Sequence, residues 1–205
     1  MTAFTKTHIV NFALAHLGEF RIDDISDAGS IEVLANDYWD ISRLEALGSY
    51  EWSFASSIVQ LSRNATAPIA GFSYKYDPPA DFVRLNSVYD SSTLNRTTSN
   101  WEMRDGFIES SAEDIFIAYV RDHTTIGTWP PWFVMYMSYV LAEYMAPGIV
   151  TTAAAVEKVM EGRKASLATA RARDSQVRPN NRRPPTGRWY AALRGAKIWD
   201  SGVIN

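Results

Sequence analysis

The sequence predicts an α+β fold, mainly α, from three observations. Four segments repeat apolar residues at helical spacing, near 6–17, 31–48, 131–146 and 152–174. One contiguous stretch, about 72–121, alternates aromatic and β-branched residues between turn-forming dipeptides, as a small antiparallel β region does. After residue 178 the periodicity is lost among Pro, Gly, Arg and Trp, which reads as an extended C-terminal arm. At 205 residues, 46% hydrophobic and 21% charged, the chain has the make-up of one soluble domain with an appendage. The predicted division is a body over 1–177, with a β insertion at about 70–125, and the arm over 178–205.

Each element has its own signals. The first helix, "KTHIVNFALAHL", has Thr5 or Thr7 available as a cap and Gly18 as a stop. An acidic loop with Asp23, Asp24 and Asp27 follows. Ser30 is placed to cap the second helix, with Glu32 in the positive first turn. Ile31, Leu34, Tyr38, Ile41 and Leu44 recur at helical spacing as far as Gly48. Trp52 and Phe54, two apart, read as one face of a strand or extended segment. In the β region Phe72, Tyr74 and Tyr76 alternate, Pro78-Pro79 interrupts the ladder, and Val83, Leu85 and Val88 resume it. A hairpin is expected to turn at Asp105-Gly106, and "DIFIAYVRD" is the strongest strand pattern in the chain. Short connections make the sheet antiparallel. The last helix is alanine-rich, with a narrow stripe of Val156, Val159 or Met160, Leu167 and Ala170.

The segment over 127–148, "GTWPPWFVMYMSYVLAEYMAPG", carries one formal charge, Glu143. Between Pro131, at the favoured first-turn position, and Pro147-Gly148 there is room for about 16 residues, or ~24 Å of helix. That is short of the ~30 Å hydrocarbon layer, and Glu143 would add a few kcal/mol in lipid. A buried helix is therefore expected, with no membrane span. Phe133, Met137, Val140, Leu141 and Tyr144 form a broad core face. Trp132, Tyr136 and Tyr139 point elsewhere, toward a further helix or a neighbouring subunit, and are the subunit-interface candidates.

Motifs for chemistry are scarce. The absence of Cys excludes disulfides, thiolate metal sites and Cys nucleophiles from these residues. There is no Gly-rich phosphate loop, no H-E-x-x-H and no G-x-S-x-G. His8 and His16 lie eight apart, whereas two ligands on one helix would be three or four apart, so both read as structural; His123 reads as exposed. Asp23, Asp24 and Asp27 lack the spacing and the Gly of a calcium loop, and Asp77 and Asp81 read as turn caps around the two prolines. No catalytic, cofactor-binding or metal-binding residue is assigned, and no enzyme activity is expected. The opening residues lack a cleavable leader pattern, so intracellular synthesis is expected.

Charge is distributed unevenly. Residues 1–162 carry a net charge of −11 and residues 163–205 a net charge of +8. In the arm, Arg182, Arg183, Arg188, Arg194 and Lys197 are interleaved with Trp189, Tyr190 and Trp199. Such residues dominate protein–protein hot spots, and they also neutralise phosphates and stack on bases. An acidic body repels a polyanion, which favours a protein partner; a nucleic-acid-binding module using the arm is the alternative.

Several stretches, in order, resemble the tail tubular protein A, or head-to-tail adaptor, family of short-tailed phages. "FALAHLGEFRIDDISD" is similar to that family's opening helix, Leu-Gly-Glu turn and acidic loop. "ANDYWDISRLEALGSYEWSFAS" resembles its second helix and the Trp-x-Phe-Ala signature, here Trp52, Phe54 and Ala55. "YKYDPPADFVRLNSVY" and "AYVRDHTTIGTWPPWFVMYMSYVLAEYMAPGI" resemble its Pro-Ala-Asp segment, closing strand, Trp-Pro turn and a helix carrying Leu141-Ala142. The resemblance covers about residues 8–174. It implies a helical bundle with a small β region and a structural role without cofactor. A ring, dodecameric in the virion, would sit between the portal protein and the tail nozzle. DNA would pass through its channel without specific binding. On this reading the arm docks on the portal through Arg182, Arg183, Arg188, Trp189, Tyr190, Arg194, Lys197 and Trp199. The expected location is the virion neck, after synthesis in the host cytoplasm.

Overall fold

The computed structural model describes residues 3–69, 71–94, 97–149 and 152–177. Among the described residues the chain is α+β, with four α-helices and two three-stranded antiparallel sheets. In order these are α1 (Lys6–Leu17), α2 (Ser30–Gly48), β1 (Ser56–Gln60), β2 (Tyr74–Tyr76), β3 (Phe82–Tyr89), β4 (Trp101–Arg104), β5 (Phe107–Ser110), β6 (Phe116–Arg121), α3 (Pro131–Ile149) and α4 (Ala153–Val177). Short 3-10 turns lie at Ser53–Ala55 and Ile126–Thr128.

Local chemistry sets most boundaries. Thr5 Oγ1 accepts from the His8 amide at 3.3 Å, and His8 Nδ1 accepts from the Thr5 amide at 3.2 Å. His8 thus takes the reciprocal place that Glu or Gln holds in a capping box. Gly18 ends α1 in the left-handed region, at φ 80°. α2 begins at Ser30 itself: Gly29 is the cap residue, and no side chain caps it, contrary to the expected role of Ser30. α3 runs past the predicted stop near 146 to Ile149, with Pro147 inside its last turn. A proline so near the end removes one intrahelical bond. Past it, Ile149 packs on the core, and Gly148 lies so close to Leu34 that a Cβ would be 3.0 Å from Leu34 Cδ2. α4 extends three residues beyond the predicted 174.

The β region is larger than the sequence pattern indicated and is split into two sheets. One has the order β1-β6-β3 and the other β2-β5-β4. β1 lies outside the predicted 72–121 and the predicted insertion at 70–125, because its burial alternates only between half-buried and exposed. Its place comes from pairing with β6, Ile58 opposite Ala118. The β4–β5 hairpin does turn at Asp105 (φ 52°) and Gly106 (φ 80°), the paired positive φ values of a tight two-residue loop. β3 departs from simple alternation. Register shifts at Phe82/Arg84 and Leu85/Ser87 keep Phe82, Leu85 and Val88 against one cluster at odd spacing, while Val83 packs on the other.

β6 separates two apolar clusters. Ile117 and Tyr119 face the smaller one with Tyr76, Val88 and Ile108, while Val120 faces the helices. Around the larger cluster, α3 is the central element. Its Ser138 faces His16 of α1, its Tyr144 stacks on Tyr38 of α2, and its Tyr139 lies over Gly162 of α4. Trp52 has extended backbone and precedes a 3-10 turn, Ser53–Ala55, that carries Phe54, so the two do not share a strand face. Both rings still reach α3, with Trp52 5.3 Å and Phe54 4.8 Å from the Phe133 ring. Trp52 is fully buried and donates Nε1–H to the Ala46 carbonyl at 2.8 Å, so its polar edge is satisfied. No helix among the described residues is long and apolar enough to cross a membrane.

Candidate functional site

Two helical faces present apolar side chains to solvent. On α2, Val33 and Ile41 are each 51% exposed and Leu44 42%, with Asp37 and Asp40 exposed among them. Their spacing puts them on one stripe, opposite the buried Ala35, Trp39, Ser42 and Ala46. The second face is a groove of about 330 Å³ between α3 and α4. Trp132, Met135 and Tyr139 form one wall, and Gly162, Ala165 and Thr169 the other. Gly162 is what lets the walls approach, since a Cβ there would overlap the Tyr139 ring, 2.8 Å from Cζ. The ring cannot easily retreat: it stacks on His16, centroids 3.6 Å apart and planes 9° from parallel.

The two faces point away from each other. Met135 and Tyr144 are nine residues apart on α3, which is ~180° around the axis at ~100° per residue. Tyr144 meets α2, and Met135 opens into the groove.

A polar cleft of about 420 Å³ lies between α2, α3 and α4, lined by Tyr38, Glu45, Glu143, Tyr144, Pro147 and Arg163. Arg163 pairs with Glu143 at 2.7 Å and with Glu45, and the Tyr144 hydroxyl donates to Glu45 at 2.5 Å. Burial by itself would lower the Arg163 pKa, but the hydrogen bonds to Glu143 and Glu45 outweigh it and hold the guanidinium above its ordinary value. The hydrogen bond to Glu45, aided by burial, raises the Tyr144 phenol, which stays a donor. The single charge of the apolar segment is thus used as one arm of a three-helix tie, and the cleft's charged groups are engaged with one another.

The predicted residues fall as follows. Tyr136 is fully buried, so it cannot meet a neighbouring subunit; its ring is covered by Trp52 and Phe133. Trp132 and Tyr139 remain partly exposed on the groove. Arg182, Arg183, Arg188, Trp189, Tyr190, Arg194, Lys197 and Trp199 lie outside the described residues. His16 Nε2 donates to Ser138 Oγ at 3.0 Å, because that hydroxyl's own proton goes to the Met135 carbonyl at 2.8 Å. Burial holds its imidazole below the ordinary value. His123, expected to be exposed, is half-buried beside Phe54 and bonds Thr128 Oγ1 at 2.8 Å. Asp24 closes its own turn onto Ser26, Asp77 accepts from Asn64, and Asp81 accepts from the Tyr119 hydroxyl at 3.0 Å. Among the described residues no three His, Asp or Glu side chains are grouped to hold a metal.

Two contributors escaped the sequence reading. Asp174 is fully buried near the end of α4 and accepts from the Ser53 amide at 2.9 Å and its hydroxyl at 2.6 Å, capping the 3-10 turn from a distance of 121 residues. Gly162 carried a usable signal: a lone Gly inside an alanine-rich helix marks a close approach. Compared with protein-family models and with curated proteins, the chain matches none.

Proposed function

We propose that this chain is a structural virion protein, the head-to-tail adaptor of a short-tailed phage. It forms a dodecameric ring between portal and tail nozzle and lines the DNA exit channel, and it has no catalytic role. In this reading the molecule is mainly α, a helical bundle in which α1, α2 and α4 surround α3, and the strands are a small insertion. One observation carries the reading: residues from three of the four resembling stretches pack around α3, while Tyr76, Leu85 and Val88 of the remaining stretch lie in the other cluster. Gly18 closes α1, Trp52 and Phe54 pack on Phe133, Trp129 stacks on Trp39 and meets Phe133 edge-to-face, and Leu141 and Ala142 are buried.

The basic, aromatic arm over 178–205 is assigned to the portal. The acidic body faces the exiting DNA and repels it. Negative-stain images of the full chain mixed with a cognate portal should reveal a ring stacked on the portal, and removal of 178–205 should abolish that binding. A chain that ignores the portal but binds duplex DNA tightly, with strong salt dependence, would support the nucleic-acid-binding alternative instead.

A further inference from the structure

We infer that the groove between α3 and α4 of one copy receives the outer face of α2 from the next copy, giving a head-to-tail contact. The inference rests on the ring reading and names the surfaces that reading leaves open. Three features of the protomer argue for it. First, both surfaces are apolar at their centres: Met135 is 41% exposed in the groove, and Ile41 is 51% exposed on α2. Second, one can cover the other. The exposed stripe from Val33 to Leu44 spans ~16 Å. The α4 wall of the groove, from Gly162 to Thr169, spans ~10 Å.

Third, their charges are opposite. Lys158 and Arg173, both exposed, lie about one turn beyond either end of the groove's α4 wall, and exposed Glu161 lies on its flank. The α2 stripe carries exposed Asp37 and Asp40; Asp40 pairs with Arg43 at 2.7 Å but keeps 76% of its side chain in solvent. The same charges argue against the chain's own arm as occupant of the groove, since Arg182, Arg183 and Arg188 would meet Lys158 and Arg173. Because the two faces lie on opposite sides of α3, a copy cannot satisfy itself, and two copies cannot close by two-fold symmetry through this contact. Each added copy leaves one groove and one α2 face open, which is the geometry that builds rings or filaments.

The chain has no Cys, so introduced cysteines report cleanly. The test is oxidative cross-linking of the full chain carrying Ile41→Cys and Ala165→Cys, at high protein concentration and again on the portal. The double variant should give a ladder extending beyond dimer. An equimolar mixture of the two single variants should stop at dimer, and each single variant alone should give none. Adding Asp37→Lys and Asp40→Lys should cut the cross-linked fraction at least fivefold. Cross-linking of Ile41→Cys with itself would indicate a two-fold α2 contact and overturn the inference, as would no ladder under either condition. A ring seen on the portal without the ladder sinks this contact and leaves the adaptor reading standing. A ladder without portal binding sinks the adaptor reading and leaves the contact.

Discussion

Replacing Gly162 by Ala separates two opposing effects on one residue. In a helix interior the change from Gly to Ala stabilises by about 1 kcal/mol, because the unfolded chain loses less freedom on folding. At this position the added methyl would overlap the Tyr139 ring, with Cζ at 2.8 Å and Cδ1 at 3.0 Å from the new Cβ. Overpacking of this kind costs about 1–3 kcal/mol. If the ring swings away instead, it leaves its stack on His16, a loss of about 0.5–1.5 kcal/mol. Set against that gain, the clash leaves Gly162→Ala less stable than the parent by up to about 2 kcal/mol in urea unfolding, with an unchanged slope. The sign should reverse once the ring is removed: in a Tyr139→Ala background the same substitution should stabilise by about 1 kcal/mol. A Gly162→Ala protein about 1 kcal/mol more stable than the parent, or the same change with and without the Tyr139 ring, would refute the close-approach argument.

Two further tests address polar groups. Asp174→Ala leaves the Ser53 amide and hydroxyl without this carboxylate and should cost about 2–3 kcal/mol, with Asp174→Asn costing less; a loss under about 0.5 kcal/mol by denaturant titration would show that the cap is dispensable. Burial lowers the pKa of both His16 and His123 below the ordinary 6.5. Just below that pH the unfolded chain binds more protons than the folded one, so stability should fall as pH drops through 6.5 toward the folded values. His16→Gln combined with His123→Gln should flatten the difference in unfolding free energy between about pH 7.5 and about pH 5.5; an unchanged difference would place the titration elsewhere.

Much of the fold was legible because its signals are local. Thr5 and Gly18 bracket α1, the Asp105-Gly106 pair turns the hairpin, and apolar periodicity marks α3 as a helix covered on most sides. What covers each side was not legible. Periodicity identifies Tyr136 and Tyr139 alike as off the main face of α3, yet Tyr136 is sealed under Trp52 while Tyr139 borders an open groove. β1 has no pattern strong enough to call for a strand and exists through its register with β6, some 60 residues away in sequence. Glu143 could be seen only as a lone charge in an apolar run; that Arg163 meets it and Glu45 at once depends on how α4 and α2 cross α3. The amino-acid order settles the period and ends of most helices, because these follow from neighbours within a turn; on α2 it did not settle the buried face, since Ile41 and Leu44 of the apolar stripe are exposed while Ala35, Trp39, Ser42 and Ala46 are buried. Which faces are covered from within the protomer, and which remain for another molecule, was decided only when segments more than a hundred residues apart packed together.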